Sequence, residues 1–191
     1  GKTRVLTYKI AYLIEEVGLP PENILAVTFT NKAAQEMKER VTGLIKLDIS
    51  KMSIGTFHSI CAGMLRKNIH HLGYSNSFTI YDSSDSKMLV KNVIKNMNLD
   101  SKQFDASSYQ YMISAKKNLL LSPNDVSESA SGYIDEKLAE IYTHYQKELE
   151  DNNALDFDDL LTLPIQLFKS NENVLNYYRD KFKYILVDEY Q

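Results

Sequence analysis

The sequence predicts an α/β fold that is interrupted by a large helical insertion. Three observations support this prediction. Helical and strand patterns alternate up to Thr56, about 120 residues without a convincing strand pattern follow, and an apolar strand returns at Tyr184. Alternating helices and strands are typical of an α/β layer. We therefore expect a discontinuous α/β domain at 1–58 and 182–191, with an all-helical insertion at 59–181.

The composition is that of an ordinary globular protein, with 43% hydrophobic and 25% charged residues among 191. The sequence contains no apolar run of the roughly 20 residues that a membrane span requires and no signal-peptide pattern. We therefore expect a cytoplasmic protein. Residues 1–58 carry eight Lys or Arg against six Asp or Glu, whereas 59–181 carry thirteen against seventeen. An anion-binding surface is expected in the first stretch.

The elements of the first stretch follow from apolar spacing. A helix is predicted from Thr3 to Val17, ended by the Gly and Pro residues that come next. An apolar strand follows at 24–29, and Asn31 is expected to cap a second helix. A third strand is predicted at 52–56. The expected buried stripes are Leu6, Ile10, Leu13, Ile14 and Val17 in the first helix, and Ala34, Met37, Val41 and Leu44 in the second.

The long middle stretch contains helical patterns separated by turn signals. Helices are predicted at 60–69, 86–97, 109–118, 123–129, 133–150, 157–168 and 172–178. The residues Asp82 to Asp85 introduce the second of these, and Asp156 is expected to cap the sixth. The clearest pattern is that of 133–150, with a predicted buried stripe at Ile134, Leu138, Ile141, Tyr145 and Leu149.

The two ends of the sequence suggest the halves of one nucleotide site. Lys2 and Thr3 open the first helix, where backbone amides favour anions and a hydroxyl can bind magnesium. Asp188 and Glu189 follow the last strand, where one carboxylate can serve the magnesium and the other a water. Each pair also has an ordinary explanation. The first can be a basic start to an amphipathic helix, and the second a solvated loop or a helix cap.

Two strand ends carry residues suited to single-stranded nucleic acid. Phe29, Thr30 and Asn31 offer an aromatic ring, a hydroxyl and an amide, which suit a stacked base and backbone phosphates. Thr56 and His58 form a similar group at the end of the next strand. Capping and core packing are the alternative explanation for both groups. For the acidic segment 155–161, an N-cap with carboxylates that complement the helix dipole is sufficient.

Taken together, these segments resemble the UvrD, PcrA and Rep group of superfamily 1 DNA helicases. Residues 1–6 resemble the end of the Walker A motif, and 26–37 resemble motif Ia. Residues 55–59 resemble motif Ib, 155–161 the LDFDDL segment, and 184–191 the Walker B motif of the form DExQ. The segments occur in family order across the whole chain, and their amino-acid sequences are most similar to those of the PcrA branch.

The resemblance implies a RecA-like P-loop NTPase domain, called 1A and incomplete here, with the helical domain 1B inserted in it. It implies an ATP-driven motor that uses Mg²⁺, moves 3′ to 5′ along single-stranded DNA and separates duplex in repair or replication. The location implied is the bacterial cytoplasm, at the nucleoid. The implied partners are single-stranded DNA, the junction with duplex, the remaining helicase domains (the rest of 1A, 2A and 2B) and DNA-repair proteins.

The resemblance also assigns roles to residues. The nucleotide would be bound by Gly1, Lys2, Thr3, Arg4 and Gln191. Magnesium would be held by Thr3 and Asp188, and the catalytic group would be Lys2, Asp188 and Glu189, with Glu189 acting on the water. The DNA track would be lined by Phe29, Thr30, Asn31, Thr56 and His58.

The sequence departs from the family pattern at both ends. The loop glycines that precede a Walker A lysine are absent, as is a second motor domain, so we expect the chain to be a fragment without useful ATPase or unwinding activity alone. Two alternatives stay open. One is a helicase subunit of a recombinational helicase and nuclease complex, and the other is a non-catalytic module that binds DNA or protein.

Overall fold

The computed structural model describes the backbone of residues 2–189 and the side chains of residues 3–189. The chain divides into two compact units. The first unit contains the residues up to Met64 and those from Leu167 onward, and the second unit is Leu65–Gln166. None of the helices in the described range is long and apolar enough to cross a membrane. The domain limits expected from the sequence, 58/59 and 181/182, stay a prediction.

Helices and strands follow each other along the chain in a mixed order. The helices are α1 Lys2–Glu15, α2 Asn31–Leu44, α3 Phe57–Asn68, α4 Ser83–Asn96, α5 Ala106–Asn118, α6 Pro123–Glu128, α7 Tyr133–Asp151, α8 Phe157–Ser170 and α9 Glu172–Lys181. The strands are β1 Ile24–Thr28, β2 Ser53–Thr56, β3 Thr79–Ile80, β4 Ala154–Leu155 and β5 Tyr184–Val187.

The first unit is built on a parallel sheet of order β2-β1-β5. Strand β1 lies between the other two and is buried along its whole length, as expected for a strand with a neighbour on each side. Val27 lies opposite Gly55 on one side and Val187 on the other. Because the three strands are parallel and in register, the residues that follow Thr28, Thr56 and Val187 lie at one edge of the sheet.

Helices α1 and α2 bury one face each in the core of this unit. Apolar residues three and four apart face the sheet, as the helical period requires. The buried cluster includes Ile10, Leu13 and Ile14 of α1, Met37 and Val41 of α2, and Ile24, Ala26 and Leu186 of the strands. Packing of this kind holds the start of α1 and the ends of the strands in fixed positions relative to each other.

Gly55 allows helix α3 to begin directly after strand β2. A Cβ at this position would lie 2.5 Å from Ser59 Oγ and 3.3 Å from Ile60 Cδ1. Real Cβ atoms do not approach another atom as closely as 2.5 Å, so any side chain here would displace the side chains of Ser59 and Ile60 in the first turn of α3. The glycine thus places Thr56, Phe57 and His58 at the edge of the sheet.

The second unit is a helical cluster with one minimal pair of strands. Helices α4, α5, α6 and α7 share a core that is closed by Phe104, Tyr109 and Tyr145 among others. Strands β3 and β4 pair in parallel, with Thr79 opposite Ala154 and Ile80 opposite Leu155. This pairing joins the segment before α4 to the segment before α8, although 75 residues separate the paired positions.

The prediction of a mixed fold of helices and strands is confirmed, but two of its details are wrong. The insertion was expected to be all-helical, but β3 and β4 lie within it. Strands of two residues are too short to show an alternating pattern in the sequence. They pair because the surrounding helices bring them together, and a sequence pattern does not report that. The cap of α2 is Thr30, whose side chain accepts a hydrogen bond from the Ala33 amide, so Asn31 is the first helical residue.

The central members of the three predicted stripes are buried, but three members at the ends are exposed. These are Leu44, Ile134 and Val17, the last of which lies beyond the end of α1 at Glu15. Each of the three lies in or just past a terminal turn, where the chain extends beyond the core that the helix covers. The predicted cap at Asp156 is confirmed, since its side chain accepts from the Asp159 amide. Within the predicted capping segment 82–85 the cap is Asp82, whose side chain accepts from the Ser84 and Asp85 amides, so α4 begins at Ser83 and not at 86 as expected.

Candidate nucleotide and DNA site

Thr3 and Asp188 meet at the edge of the sheet. Thr3 lies in the first turn of α1, and Asp188 follows β5, where its amide donates to the Val27 carbonyl at 2.9 Å. The Thr3 hydroxyl Oγ1 donates to Asp188 Oδ2 at 2.9 Å. The two residues are 185 positions apart, and the parallel pairing of β1 with β5 brings them together. Of the predicted nucleotide residues, these two are in direct contact.

The second carboxylate oxygen of Asp188 is buried and has no partner among the described residues. Asp188 is only 4% exposed, and its Oδ1 accepts no hydrogen bond from any of them. A buried polar atom that is left unsatisfied costs free energy, so an orphan carboxylate oxygen indicates a place for a cation or a donor. The position of this oxygen beside the Thr3 hydroxyl is the feature that distinguishes the site.

This pair of oxygens suits magnesium better than a closed metal centre. Mg²⁺ prefers oxygen ligands and keeps several waters, and proteins usually hold it through one or two carboxylates together with substrate phosphates. Among the side chains of residues 3–189, no three His, Cys, Asp or Glu form a group that could hold a metal alone. Thr3 and Asp188 would therefore provide the protein's share of the ligands.

The start of α1 is suited to an anion. Its first turn contains no acidic residue, so the positive end of the helix dipole is not neutralised from within the helix. Thr7 is buried and donates from Oγ1 to the Arg4 carbonyl at 2.8 Å, which fixes the backbone of the second turn. The Arg4 guanidinium is exposed and lies 5.5 Å from the ring centre of Tyr8.

Glu189 has an unusual backbone conformation. Its φ is +59°, in the left-handed region that residues with a side chain seldom adopt. Such conformations cost of order 1–3 kcal/mol and cluster at functional sites. The conformation turns the chain sharply after Asp188 and leaves Glu189 exposed at the same sheet edge.

Two aromatic rings mark the ends of β1 and β2. Phe29 is 61% exposed and Phe57 is partly exposed. Their ring centres lie 5.5 Å apart with an angle of 59° between the planes. An exposed pair of large rings is costly in water, so it is a natural place for a flat apolar ligand such as a base. The sequence prediction included Phe29 but missed Phe57, although its position beside His58 at a strand end was a usable signal.

The other predicted DNA residues fall into two groups. Asn31 and His58 are exposed in the first turns of α2 and α3. Thr30 and Thr56 instead use their hydroxyls locally, since Thr30 Oγ1 accepts from the Ala33 amide at 3.1 Å and Thr56 Oγ1 from the Ser59 amide at 3.2 Å. The hydroxyls of these two threonines therefore cap helices.

The acidic segment 155–161 contains a buried ion cluster that the sequence did not suggest. Lys117 Nζ donates to Asp156 Oδ2 at 2.7 Å and to Asp159 Oδ1 at 2.8 Å. Tyr145 donates from its hydroxyl to Asp156 Oδ2 at 2.8 Å. Lys117 is only 3% exposed. The signal that could have found it is its spacing, because it continues the buried stripe of Tyr109 and Ile113 along α5.

Burial and charge act in opposite directions in this cluster. Burial opposes the charge of Lys117, but the carboxylates of Asp159 and Asp156 outweigh it and raise the pKa of the ammonium group. Burial also raises the pKa of Asp159 to about 6, helped by Asp156 and opposed by Lys117. For Asp156, the opposing burial is outweighed by Lys117 and the local hydrogen bonds, so its pKa is lowered.

Some predicted residues lie outside the described part of the chain. These are Gly1, the side chain of Lys2, and Gln191. The described residues thus bring together Thr3 with Asp188 and Phe29 with Phe57, and they place Glu189, Asn31 and His58 on exposed positions after strands of the same sheet.

Comparison with known proteins identifies the family of the chain. The family model of the UvrD/REP helicase N-terminal domain matches residues 1–191. The chain is 48% identical, over its whole length, to the ATP-dependent DNA helicase PcrA of Staphylococcus aureus and to that of Bacillus subtilis, and 46% identical to that of Staphylococcus epidermidis. It spans about a quarter (26%) of the length of each of these relatives. The resemblance found in the sequence is therefore confirmed, and the chain belongs to the UvrD/REP helicase N-terminal domain family.

Proposed function

We propose that the chain is part of an ATP-dependent DNA helicase and supplies one side of its nucleotide site and part of its DNA track. The observation that carries the proposal is the contact between Thr3 and Asp188, with the second Asp188 oxygen buried and unsatisfied. The similar proteins are ATP-dependent DNA helicases. This favours a motor over the two alternatives, a subunit of a helicase and nuclease complex or a non-catalytic binding module.

In the nucleotide half, the chain binds phosphates at the start of α1. Lys2 and Gly1 contact the phosphates, and Arg4 lies near the nucleotide. Thr3 and Asp188 would hold Mg²⁺, and the ion would supply positive charge to neutralise the phosphate oxygens. The unpaired Oδ1 of Asp188, which has no partner among the described residues, supports this role.

Glu189 and Gln191 act on the water that attacks the terminal phosphate. A carboxylate next to the magnesium ligand can accept a hydrogen bond from this water, orient it and take its proton. The backbone of Glu189 is in the left-handed conformation. Strained conformations of this kind cluster at functional sites, where they position a side chain. Gln191 hydrogen-bonds the water or a phosphate.

In the DNA half, a single strand crosses the edge formed by the ends of β1 and β2. Phe29 stacks on a base, which is worth about 1–3 kcal/mol per base in single-strand binding proteins. Asn31 and His58 contact the backbone from the first turns of α2 and α3. Thr30 and Thr56 border the track and hold these two helix starts in place through their caps.

The wider assignment follows from the family. The first unit corresponds to the RecA-like domain 1A and the second to the inserted domain 1B. The whole protein moves 3′ to 5′ along single-stranded DNA and separates duplex in repair or replication, in the bacterial cytoplasm at the nucleoid. Its partners are the junction of single-stranded and duplex DNA, the remaining helicase domains and DNA-repair proteins.

Two substitutions in the full-length protein test the nucleotide half. Lys2→Ala is expected to abolish both ATP binding and DNA-stimulated ATPase activity, because it removes the charge that holds the phosphates. Glu189→Gln is expected to abolish turnover but retain ATP binding, because only the water loses its base. Glu16→Gln, an exposed change of the same chemistry at the end of α1, is the control. Near-normal turnover in both test variants would overturn the proposal.

A further inference from the structure

A pocket with several acidic residues in its wall lies within the second unit, and the proposed motor function does not use it. Its volume is about 340 Å³, which is enough for a side chain from another molecule. The pocket is bounded by α4, α5 and the start of α8, and the buried residues Tyr145 and Asp156 form part of its wall. It includes Phe157 and Asp158 of the LDFDDL segment, for which the nucleotide and DNA sites provide no role.

The lining of the pocket is acidic. It contains Asp82, Asp156 and Asp158 and no Lys or Arg. The ion cluster behind Asp156 does not neutralise it, because the single charge of Lys117 is shared between two carboxylates, those of Asp156 and Asp159. One negative charge therefore remains in the buried cluster before Asp82 and Asp158 are counted. An excess of buried negative charge next to a cavity favours a cationic ligand.

The pocket also offers neutral hydrogen-bond acceptors. Gln110 donates from Nε2 to the Ser83 carbonyl at 2.9 Å, which leaves its Oε1 as an acceptor. Asn118 donates from Nδ2 to Asp158 Oδ1 at 3.2 Å, so that Asp158 is held in position and its other oxygen can accept. Tyr111, at 77% exposure, adds an aromatic face at the rim.

These features favour a guanidinium group over other cations. A guanidinium presents five N–H donors in one plane and stacks on aromatic rings, whereas an ammonium is a compact point charge. Hydrogen-bond acceptors at several points of the wall and an aromatic ring at the rim match a guanidinium group.

We propose that this pocket binds an arginine side chain presented by a partner protein. The acidic lining would repel DNA phosphates, so this part of the second unit is a protein contact and not an extension of the DNA track. A single arginine anchored in a partly buried pocket is a common centre of a protein interface. The assignment does not depend on the nucleotide site.

The test uses the 191-residue chain and two blocked peptides that place either arginine or citrulline between glycines. Citrulline has the same shape as arginine without the charge. Titration of the ¹⁵N-labelled chain is expected to shift the amide signals of Ser83, Gln110 and Asp158 with the arginine peptide only. Asp158→Asn is expected to weaken this binding about tenfold, which is the effect of one charge-assisted hydrogen bond. Asp151→Asn, the same change on the exposed face of α7, is expected to leave it unaltered.

Asp158→Asn keeps an oxygen for Asn118 and should fold normally, which the remaining amide signals would show. If it does not fold, Tyr111→Ala replaces it, because this exposed ring can be removed without a cavity and should weaken binding about threefold. Equal shifts with both peptides would overturn the proposal. So would unaltered binding in both variants, or a short DNA that shifts the same amides more strongly than the arginine peptide does.

Discussion

Two short strands in this molecule run directly into buried aspartates, and the two sites differ in what surrounds the carboxylates. After β5, the described residues give the Asp188 carboxylate one partner, the Thr3 hydroxyl, and leave its other oxygen buried without any. After β4, Asp156 and Asp159 share a buried lysine and further hydrogen bonds from Tyr145 and a backbone amide. Among the described residues the first carboxylate has no counter-charge, and the second site has one.

This difference indicates two roles. The Asp188 carboxylate is available to bind a ligand, whereas those of Asp156 and Asp159 stabilise the fold. Burying a charge is costly unless partners satisfy it. When the chain supplies the partners from distant helices, the cluster fixes those helices relative to each other. When the described residues leave one oxygen unpaired beside a helix N-terminus, that oxygen is available to a ligand. The comparison predicts that substitutions at the two sites affect different properties.

The largest effect is expected for Lys117→Met. The substitution leaves Asp156 and Asp159 buried without a counter-charge, which typically costs about 3–5 kcal/mol. The free energy of unfolding, measured with urea, should fall by this amount. Lys116→Met, at the neighbouring and more accessible position of α5, should change it by less than about 1 kcal/mol. A value for Lys117→Met as small as that of the control would mean that the cluster is not structural.

Asp188→Asn should show the opposite behaviour. Asparagine retains an oxygen for the Thr3 hydroxyl, so the free energy of unfolding should change little. The lost charge weakens the magnesium site proposed here, and on that proposal the DNA-stimulated ATPase activity of the full-length protein should fall at least about 100-fold, or about 2.7 kcal/mol. Asp180→Asn, an exposed change in α9, serves as the control. A variant that loses stability but retains turnover would place Asp188 with the structural carboxylates.

Much of the first site could be predicted from the sequence because its information is local. Thr3 stands at the start of a periodic helix, and Asp188 stands at the end of an apolar strand, so each position was clear from its neighbours. Parallel strands end at the same edge, so the meeting of the two residues followed from the fold class. The orphaned oxygen of Asp188 could not be predicted, because it depends on the packing around one atom.

The second site was missed because its information is not local. Lys117 lies 39 positions before Asp156, and a lysine near a helix end is usually solvated. Only its place in the buried stripe of α5 distinguishes it. Lysines often continue such stripes with their methylene groups while the ammonium group stays in water. The acids of 155–161 were correctly given a capping role, but a cap alone does not predict the lysine that reaches them.

A smaller effect is expected at the aromatic pair that borders the first site. Phe29→Ala removes a ring that is already exposed, so stability should change little. Affinity of the full-length protein for single-stranded DNA should fall by about 1–3 kcal/mol if a base stacks there. Tyr12→Ala removes a similarly exposed ring from α1 and should have no effect. Equal losses in the two variants, measured by fluorescence anisotropy, would contradict a stacking role for Phe29.

The smallest effect is a pH dependence of the structural cluster. Burial and the Asp156 carboxylate raise the pKa of Asp159 to about 6, from a reference value of 3.8. Between pH 3.8 and pH 6, Asp159 binds a proton in the folded chain but not in the unfolded chain. Stability therefore rises as the pH falls through this range, in contrast to the usual acid loss of stability. From pH 7 to pH 5, we expect a gain of about 1.4 kcal/mol from this group.

The measurement compares urea unfolding of the unaltered chain and of Asp159→Asn at both pH values, since the variant lacks the titrating carboxyl. The aspartates at exposed helix caps have lowered pKa values, so their contribution is lost only at more acid pH and does not interfere. A carboxyl carbon signal of Asp159 that titrates with a midpoint near 6 would confirm the assignment directly. A midpoint below 4 would mean that Lys117 and the local hydrogen bonds outweigh burial at Asp159, and the expected gain in stability from pH 7 to pH 5 would be absent. Both carboxylates would then stay ionised over this range, with the single charge of Lys117 shared between them.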